Sequence, residues 1–130
     1  MASACFEIET SRAISPQILR HKSFSFQEWS QRYSDSSQLG FEEVVPRRQD
    51  KENRQNSFDD LANIDKLMFE KLLRETCEKA EDNYKFALSI GIAKESARFL
   101  LPGSTKTRIY MSGTLRSWIH YLKLLSLIHI

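Results

Sequence analysis

The clearest pattern lies in the middle of the chain, where apolar residues recur at steps of three and four positions. These apolar positions are Ile64, Met68, Leu72, Leu73, Cys77, Ala80, Tyr84, Ala87 and Leu88. Such spacing places them on one side of an α-helix, and Gly91 supplies a stop signal. We therefore predict a long amphipathic helix that starts at Ile64 and ends before Gly91, with the Cys77 thiol buried in its apolar face.

Weaker patterns predict the elements that precede this helix. Phe6–Glu9 alternates apolar and charged residues, as a short strand does. Ser11 has the side chain of a helix N-cap, which predicts a helix running to Leu19, although Pro16 is unfavourable inside a helix. Residues 35–63 are polar and charged, and we interpret them as mostly a surface loop.

The elements after the long helix are also indicated by spacing and turn residues. Residues 94–101 predict a second helix that ends at Pro102 and Gly103. Residues 105–112 alternate β-branched, charged and aromatic side chains, which is typical of a strand. Helical spacing returns over residues 114–124, through Leu115, Trp118, Ile119 and Leu122.

Composition excludes several classes of protein. The 130 residues are 41% hydrophobic and 28% charged, which fits one small soluble domain. The net charge of +2 gives no overall field that favours nucleic acid or an anionic membrane. Cys5 and Cys77 form no disulfide framework, and with three scattered histidines they offer no zinc-ligand spacing. We expect a cytoplasmic protein with no metal site, no membrane contact and no nucleic-acid partner.

The densest polar group begins at Arg20-His21-Lys22 and reaches Ser30 after seven residues, with Glu28 between them. The planar fork of arginine matches phosphate and carboxylate oxygens, and a charge-assisted hydrogen bond contributes about 1.5–3 kcal/mol. The group therefore suits an anionic ligand. Spacing alone favours a solvated basic loop, and the aromatic residues interleaved here leave RNA binding open.

Two further groups lie nearer the C-terminus. Arg98 falls in the predicted helix that ends at Pro102, where an arginine either faces a ligand or lies in solvent at the helix end. Arg116 and His120 are one turn apart on the last helix. That helix starts after Gly113, and a helix start of this kind exposes N–H groups that suit phosphate. Each group alone is common on protein surfaces.

Taken in order, the three groups resemble the flavin-dependent thymidylate synthases. That family carries Arg-His-Arg, seven residues and then serine, and this chain has Arg20-His21-Lys22, SFSFQEW and then Ser30. The preceding stretch FEIETSRAISPQILRH is similar to the family's approach to its motif. The later block ARFLLPGSTKTRIYMSGTLRSWIHYL is similar too, with its alanine-arginine, leucine-proline and arginine-serine pairs. The resemblance covers nearly all of residues 5–124.

The resemblance implies an α+β fold in which a sheet packs against the long helix, with residues 1–124 forming part of such a domain. It implies reductive methylation of dUMP to dTMP, with 5,10-methylenetetrahydrofolate, FAD and NADPH. It also implies a homotetramer with active sites shared between subunits. Two alternatives stay open: a non-enzymatic nucleotide- or RNA-binding module using segment 20–34, and a helical interaction domain built on residues 64–90.

The same resemblance assigns residues to the two ligands. Those expected to hold dUMP are Gln17, Ile18, Leu19, Arg20, Glu28, Trp29, Ser30, Gln31, Arg32 and Arg98. Those expected to contact FAD are Arg20, His21, Lys22, Glu28, Thr114, Leu115, Arg116 and His120. No catalytic residue is assigned, because the arginine that the family has next after the equivalent of Leu124 is absent here.

The chain departs from the family pattern at three places. Lys22 replaces the third arginine of the motif, which keeps the charge but not the fork. Thr114 stands where an asparagine is common. After Leu124 comes Leu125–Ile130, which the end of a transposase sequencing adaptor would also encode. We interpret residues 125–130 as a non-native tail, and we expect a fragment truncated at both ends and inactive by itself.

Overall fold

The computed structural model of the chain describes residues 2–31, 35 and 38–125. The strands in this part of the chain are β1 (Ser3–Ser11), β2 (Ser25–Glu28), β3 (Arg48–Gln49), β4 (Ser57–Phe58) and β5 (Lys106–Thr114). The helices are α1 (Ser15–Ile18), α2 (Asn63–Ser89), α3 (Lys94–Ala97) and α4 (Leu115–Leu125), and a 3-10 turn at Arg98–Leu100 follows α3. This mixture of helices and a sheet confirms the predicted α+β class.

Strand β5 is the centre of a three-stranded antiparallel sheet with the order β1-β5-β2. The register of β1 on β5 runs from Ser3 opposite Thr114 to Ser11 opposite Lys106. On the other side, β2 ends with Glu28 opposite Ile109. The segments that follow β1 and β2 therefore meet at the same end of β5, although they are distant in sequence.

The main hydrophobic core lies on one face of this sheet. Ile109 and Met111 alternate along β5 toward that face and are fully buried, as period-two side-chain alternation requires. Trp118 and Tyr121 of α4 cover them, together with Ile18 of α1. The indole N–H of Trp118 donates a hydrogen bond of 3.1 Å to the Ala4 carbonyl, which ties α4 to β1.

An aromatic cluster joins the segment before β2 to α4. The ring of Phe24 packs edge-on against Trp118, with centroids 4.8 Å apart, and against Tyr121 at 5.6 Å. Gly113 lies beneath this ring. A Cβ atom at position 113 would lie only 2.5 Å from Cδ1 of Phe24, so the close approach requires glycine.

The predicted long helix is confirmed as α2, whose C-terminal half packs on the rest of the chain. Tyr84 and Ala87 are buried in a second core with Ala97. Cys77 is buried as predicted, and its sulfur lies 3.3 Å from Oγ of Ser104, just before β5. The long helix thus packs on the sheet through the segment that leads into the central strand.

The N-terminal half of α2 does not follow the predicted burial. Ile64 is 73% exposed and Met68 55%, and Leu67 is exposed between them. A helix of this length extends about 40 Å, which is farther than the small sheet reaches. Among the described residues, the covered part of this apolar side runs from Cys77 to Ala87.

Several predicted boundaries were wrong near the start of the chain. Strand β1 runs to Ser11 because it pairs with β5 along its whole length, so Ser11 is not the N-cap of a helix. Helix α1 begins at Ser15, which places Pro16 in the first turn, where proline is tolerated. Residues 35–63 also contain a hairpin, β3–β4, joined by the exposed pair of Arg48 and Asp60.

We expect Gly113→Ala to destabilise the fold, because the added methyl group collides with a ring that Trp118 and Tyr121 hold in place. Overpacking of this kind costs about 1–3 kcal/mol. Urea unfolding measures the change in free energy. The matched control is Gly103→Ala, whose Cβ would lie 3.2 Å from the Ala13 methyl group. Equal losses for the two variants would contradict the role of the Phe24 contact.

Candidate functional site

Glu28, the last residue of β2, has a side chain with three polar partners within the described residues. Its Oε2 accepts hydrogen bonds from the hydroxyls of Ser15 and, at 3.0 Å, Thr107. Its Oε1 lies 3.4 Å from Nη1 of Arg12. Ser15 and Thr107 are almost fully buried. We call Arg12, Ser15, Glu28 and Thr107 the Glu28 cluster, and its three donors hold the carboxylate in one orientation.

Arg12, Ser15 and Thr107 are members of this cluster that the sequence did not assign to a site, and Arg12 is the charged one. It follows β1 directly, and its guanidinium also donates to the Trp29 carbonyl. Burial lowers the pKa of Arg12, Glu28 opposes that shift, and the nearby charge of Arg98 adds to it. Arg12 stands in the stretch FEIETSRAISPQILRH, which supported the resemblance, and that position is the signal that could have identified it.

Trp29, directly after β2, keeps one backbone hydrogen bond to β5. The Trp29 N–H donates to the Arg108 carbonyl at 2.8 Å, and the Arg108 guanidinium lies 5.8 Å from the centroid of the Trp29 ring. Ser30 and Gln31 are half-buried. Arg32 lies outside the described residues, so its assignment stays a prediction.

Residues 17–20 show a mixed arrangement around the end of α1. The Ile18 side chain belongs to the core, so only its backbone faces the surroundings, and its carbonyl accepts the His21 N–H at 3.3 Å. Leu19 is half-buried, whereas Gln17 and Arg20 are exposed. Arg20 is therefore in reach of a ligand at the surface and is not part of the Glu28 cluster.

The loop of Arg20, His21 and Lys22 lies beside α4, the helix that carries Arg116 and His120. The His21 ring packs edge-on against Tyr121 with centroids 4.7 Å apart, which brings the loop of Arg20 and Lys22 next to that helix. Arg116 and His120 are exposed on α4. Among residues 2–31, 35 and 38–125, no acidic side chain forms an ion pair with Arg20, Lys22 or Arg116. Exposed cations of this kind suit an anionic ligand.

Thr114 has a structural use at the start of α4. Its Oγ1 accepts the Ser117 N–H at 3.2 Å and lies 3.1 Å from the Ser117 hydroxyl. Threonine and asparagine both cap helix N-termini in this way. Leu115, the next residue, is exposed. The threonine thus preserves the helix start at a position predicted to contact FAD.

Arg98 lies in the 3-10 turn that follows α3. Its Nε donates to the Glu95 carbonyl at 2.9 Å, and its guanidinium lies 5.4 Å from the centroid of the exposed Phe99 ring. The side chain is half-buried. Because its charge acts on Arg12, Arg98 belongs to the neighbourhood of the Glu28 cluster.

A separate groove of about 360 Å³ runs between α2 and residues 41–45. Its lining includes Phe41, Val44, Leu73 and Cys77 but no predicted site residue. Among the described residues, no helix has the length and apolar character that a membrane span requires.

The fold agrees with the comparisons to known proteins. The chain belongs to the family described as thymidylate synthase complementing protein, which it matches over residues 1–128. It is 52% identical over 121 residues to the flavin-dependent thymidylate synthase of Synechocystis sp., a match that covers 93% of this chain and 55% of that protein. The identity to the enzyme of the same name from Kosmotoga olearia is 35% over 122 residues, covering 92% of this chain and 52% of that one.

A solved structure is similar as well. The UMP/dUMP methylase PolB from Streptomyces cacaoi, bound with 5-Br UMP, superposes with a TM-score of 0.76 at 25% identity. The match covers 92% of this chain and 55% of PolB. The chain spans about half the length of the curated relatives it matches.

We expect Thr114→Ala to destabilise α4 by about 1 kcal/mol, because it removes the side chain that caps the helix. Thr114→Asn is the matched control and should retain stability, since asparagine is an equally good cap. Chemical denaturation with tryptophan fluorescence as the signal measures both. Equal stability of the alanine variant and the unmodified protein would show that the cap contributes nothing.

Proposed function

We propose that this chain is part of an enzyme that methylates dUMP to dTMP, with 5,10-methylenetetrahydrofolate as carbon donor, FAD as cofactor and NADPH as electron donor. The observation that carries the proposal is the family match over residues 1–128, which contains all three polar groups. The dUMP-methylase class is further supported by the similarity to PolB. The electron donor rests on the resemblance alone, and a cytoplasmic location rests on the composition and the cysteine count.

For dUMP, we propose a site that combines the segment after Glu28 with Arg98 and the end of α1. The phosphate of the nucleotide requires cations, and Arg98 is half-buried near Arg12. Arg20 at the end of α1 and Arg32 complete the proposed set. A preorganised cation beside the uracil ring would stabilise the negative charge that develops as its carbon attacks the methylene donor.

For FAD, we propose the loop of Arg20, His21 and Lys22 together with Arg116 and His120 of α4. The side chains fit a phosphate-bearing cofactor, because exposed cations stand there and His21 packs against α4. FAD, when bound, supplies the hydride that reduces the transferred carbon, and the protein positions the two reactants. These residues would hold the cofactor by charge and by hydrogen bonds.

We further propose that the enzyme is a homotetramer whose sites are shared between subunits. The N-terminal half of α2 supports this, because Ile64, Leu67 and Met68 form an apolar surface that this chain leaves exposed. On α4, Leu115, Ile119 and Leu122 are exposed at helical spacing. Contiguous apolar surface of this kind marks interaction sites. The 130-residue chain by itself would then leave the proposed sites open and be inactive.

The RNA-binding alternative for segment 20–34 has less support. Proteins that bind single strands stack bases on exposed aromatic rings. Here Phe24 packs against Trp118 and Tyr121, and the Trp29 ring faces Arg108. Both of these rings are engaged inside the fold, so in the described part of the segment neither of the two offers a free stacking surface.

The decisive test is made on the protein expressed from the full gene that contains this sequence. We expect flavin absorbance in the purified protein and conversion of dUMP to dTMP that depends on methylenetetrahydrofolate and NADPH. The 130-residue chain serves as the comparison and should form no dTMP. A full-length protein that holds no flavin but shifts the mobility of single-stranded RNA would favour the alternative.

Lys22→Arg tests the proposed flavin loop. Arginine restores the planar fork that pairs with phosphate in two hydrogen bonds, so the full-length variant should retain FAD as well as or better than the unmodified protein. The flavin-to-protein absorbance ratio after gel filtration measures retention. Lys51→Arg, in the exposed turn between β3 and β4, is the matched control and should change nothing. Clear loss of flavin in the Lys22 variant would refute this role.

A further inference from the structure

Two hydrogen bonds from different parts of the fold orient the backbone of Trp29. On one side, the Trp29 N–H donates to the Arg108 carbonyl of β5 at 2.8 Å. On the other side, the Trp29 carbonyl accepts from Nη2 of Arg12. The backbone on both sides of the Trp29 side chain is therefore oriented by residues outside segment 20–34.

A trans peptide is planar, and its carbonyl and N–H point in opposite directions. Because Arg12 holds the Trp29 carbonyl, the N–H of Ser30 in the same peptide is directed away from Arg12. The orientation of this peptide is therefore linked to the position of Arg12.

Glu28 contributes to the same arrangement by its side chain. Both carboxylate oxygens are engaged, Oε2 by Ser15 and Thr107 and Oε1 by Arg12. A carboxylate engaged in this way does not leave its partners for a ligand without exposing a half-buried cation. The Glu28 side chain thus links Arg12 to Ser15 and Thr107.

The backbone of Arg12 is also held in place by a hydrogen bond. Its N–H donates to the Thr105 carbonyl at 2.9 Å, directly before β5. Burial and the charge of Arg98 both lower the pKa of Arg12, which means that a charged guanidinium is kept at this place at some cost. A neutral side chain would avoid that cost but could not join the carboxylate and the carbonyl.

We propose that Arg12 is a positioning residue that fixes the direction of the Trp29–Ser30 peptide and thereby the segment Trp29–Gln31. This inference rests on the proposed function, which assigns that segment to dUMP. Arg12 acts through the Glu28 carboxylate and the Trp29 carbonyl and does not contact the nucleotide.

The test uses Arg12→Gln and Arg12→Lys in the full-length protein. Glutamine removes the charge, and lysine keeps the charge but lacks the fork that reaches two acceptors. Arg48→Gln is the matched control, because Arg48 also pairs with a carboxylate, that of Asp60, at 2.8 and 2.9 Å on the exposed β3–β4 hairpin.

Two measurements are compared: the dUMP dissociation constant and the hydrogen-exchange rate of the Trp29 amide relative to the amides of β5. We expect both Arg12 variants to bind dUMP at least tenfold more weakly and to exchange the Trp29 amide at least tenfold faster relative to β5. Arg48→Gln should leave both values unchanged. A merely structural role would accelerate exchange in β5 and at Trp29 equally.

Unchanged relative exchange at Trp29 in either folded Arg12 variant overturns the proposal. So does an unchanged dUMP dissociation constant in a folded variant, where the unmodified protein binds dUMP. If Arg12→Gln does not fold, Arg12→Lys decides. Absence of dUMP binding by the unmodified protein would refute the proposed function, and the exchange measurement would still decide the role of Arg12.

Discussion

The antiparallel pairing of β5 with β1 and β2 is the constraint on which the rest of the structure depends. It places two segments that are distant in sequence on either side of one strand. The buried face of β5 carries Ile109 and Met111, which α4 covers. The end of the same strand provides Thr107 and the Arg108 carbonyl to the residues around Glu28. The core and the candidate dUMP site thus share a single scaffold.

Most of the fold could be predicted from local hydrophobic patterns, because α2, β5 and α4 each show a clear periodicity of apolar residues in the sequence. The long helix α2, the strand β5 and the helix α4 were predicted close to their observed limits. The start of α1 was wrong because the N-cap preference of Ser11 is weaker than its pairing with β5. Side-chain preference is a local signal, and strand pairing overrides it.

Less of the candidate site than of the fold could be predicted from the spacing of residues in the sequence. The hydrogen bond from Thr107 to Glu28 joins residues 79 positions apart, and no period in the sequence indicates it. Arg12 stood within a recognised stretch, but only the sheet register shows that it reaches Glu28 and Trp29. The motif indicated the residues that we propose to lie near the ligands, and the topology identified the residues that hold Glu28 and Trp29 in place.

The pairing of Ser3 with Thr114 also has a consequence for the order in which the chain folds. Contacts so distant in sequence form slowly, because a long loop must close before they contribute. During synthesis β1 cannot pair until β5 has also emerged from the ribosome, whereas α2 forms from local contacts. In the nascent chain, α2 therefore forms before the sheet is complete, with Leu67 and Met68 exposed. Such exposed apolar surface promotes aggregation and chaperone binding.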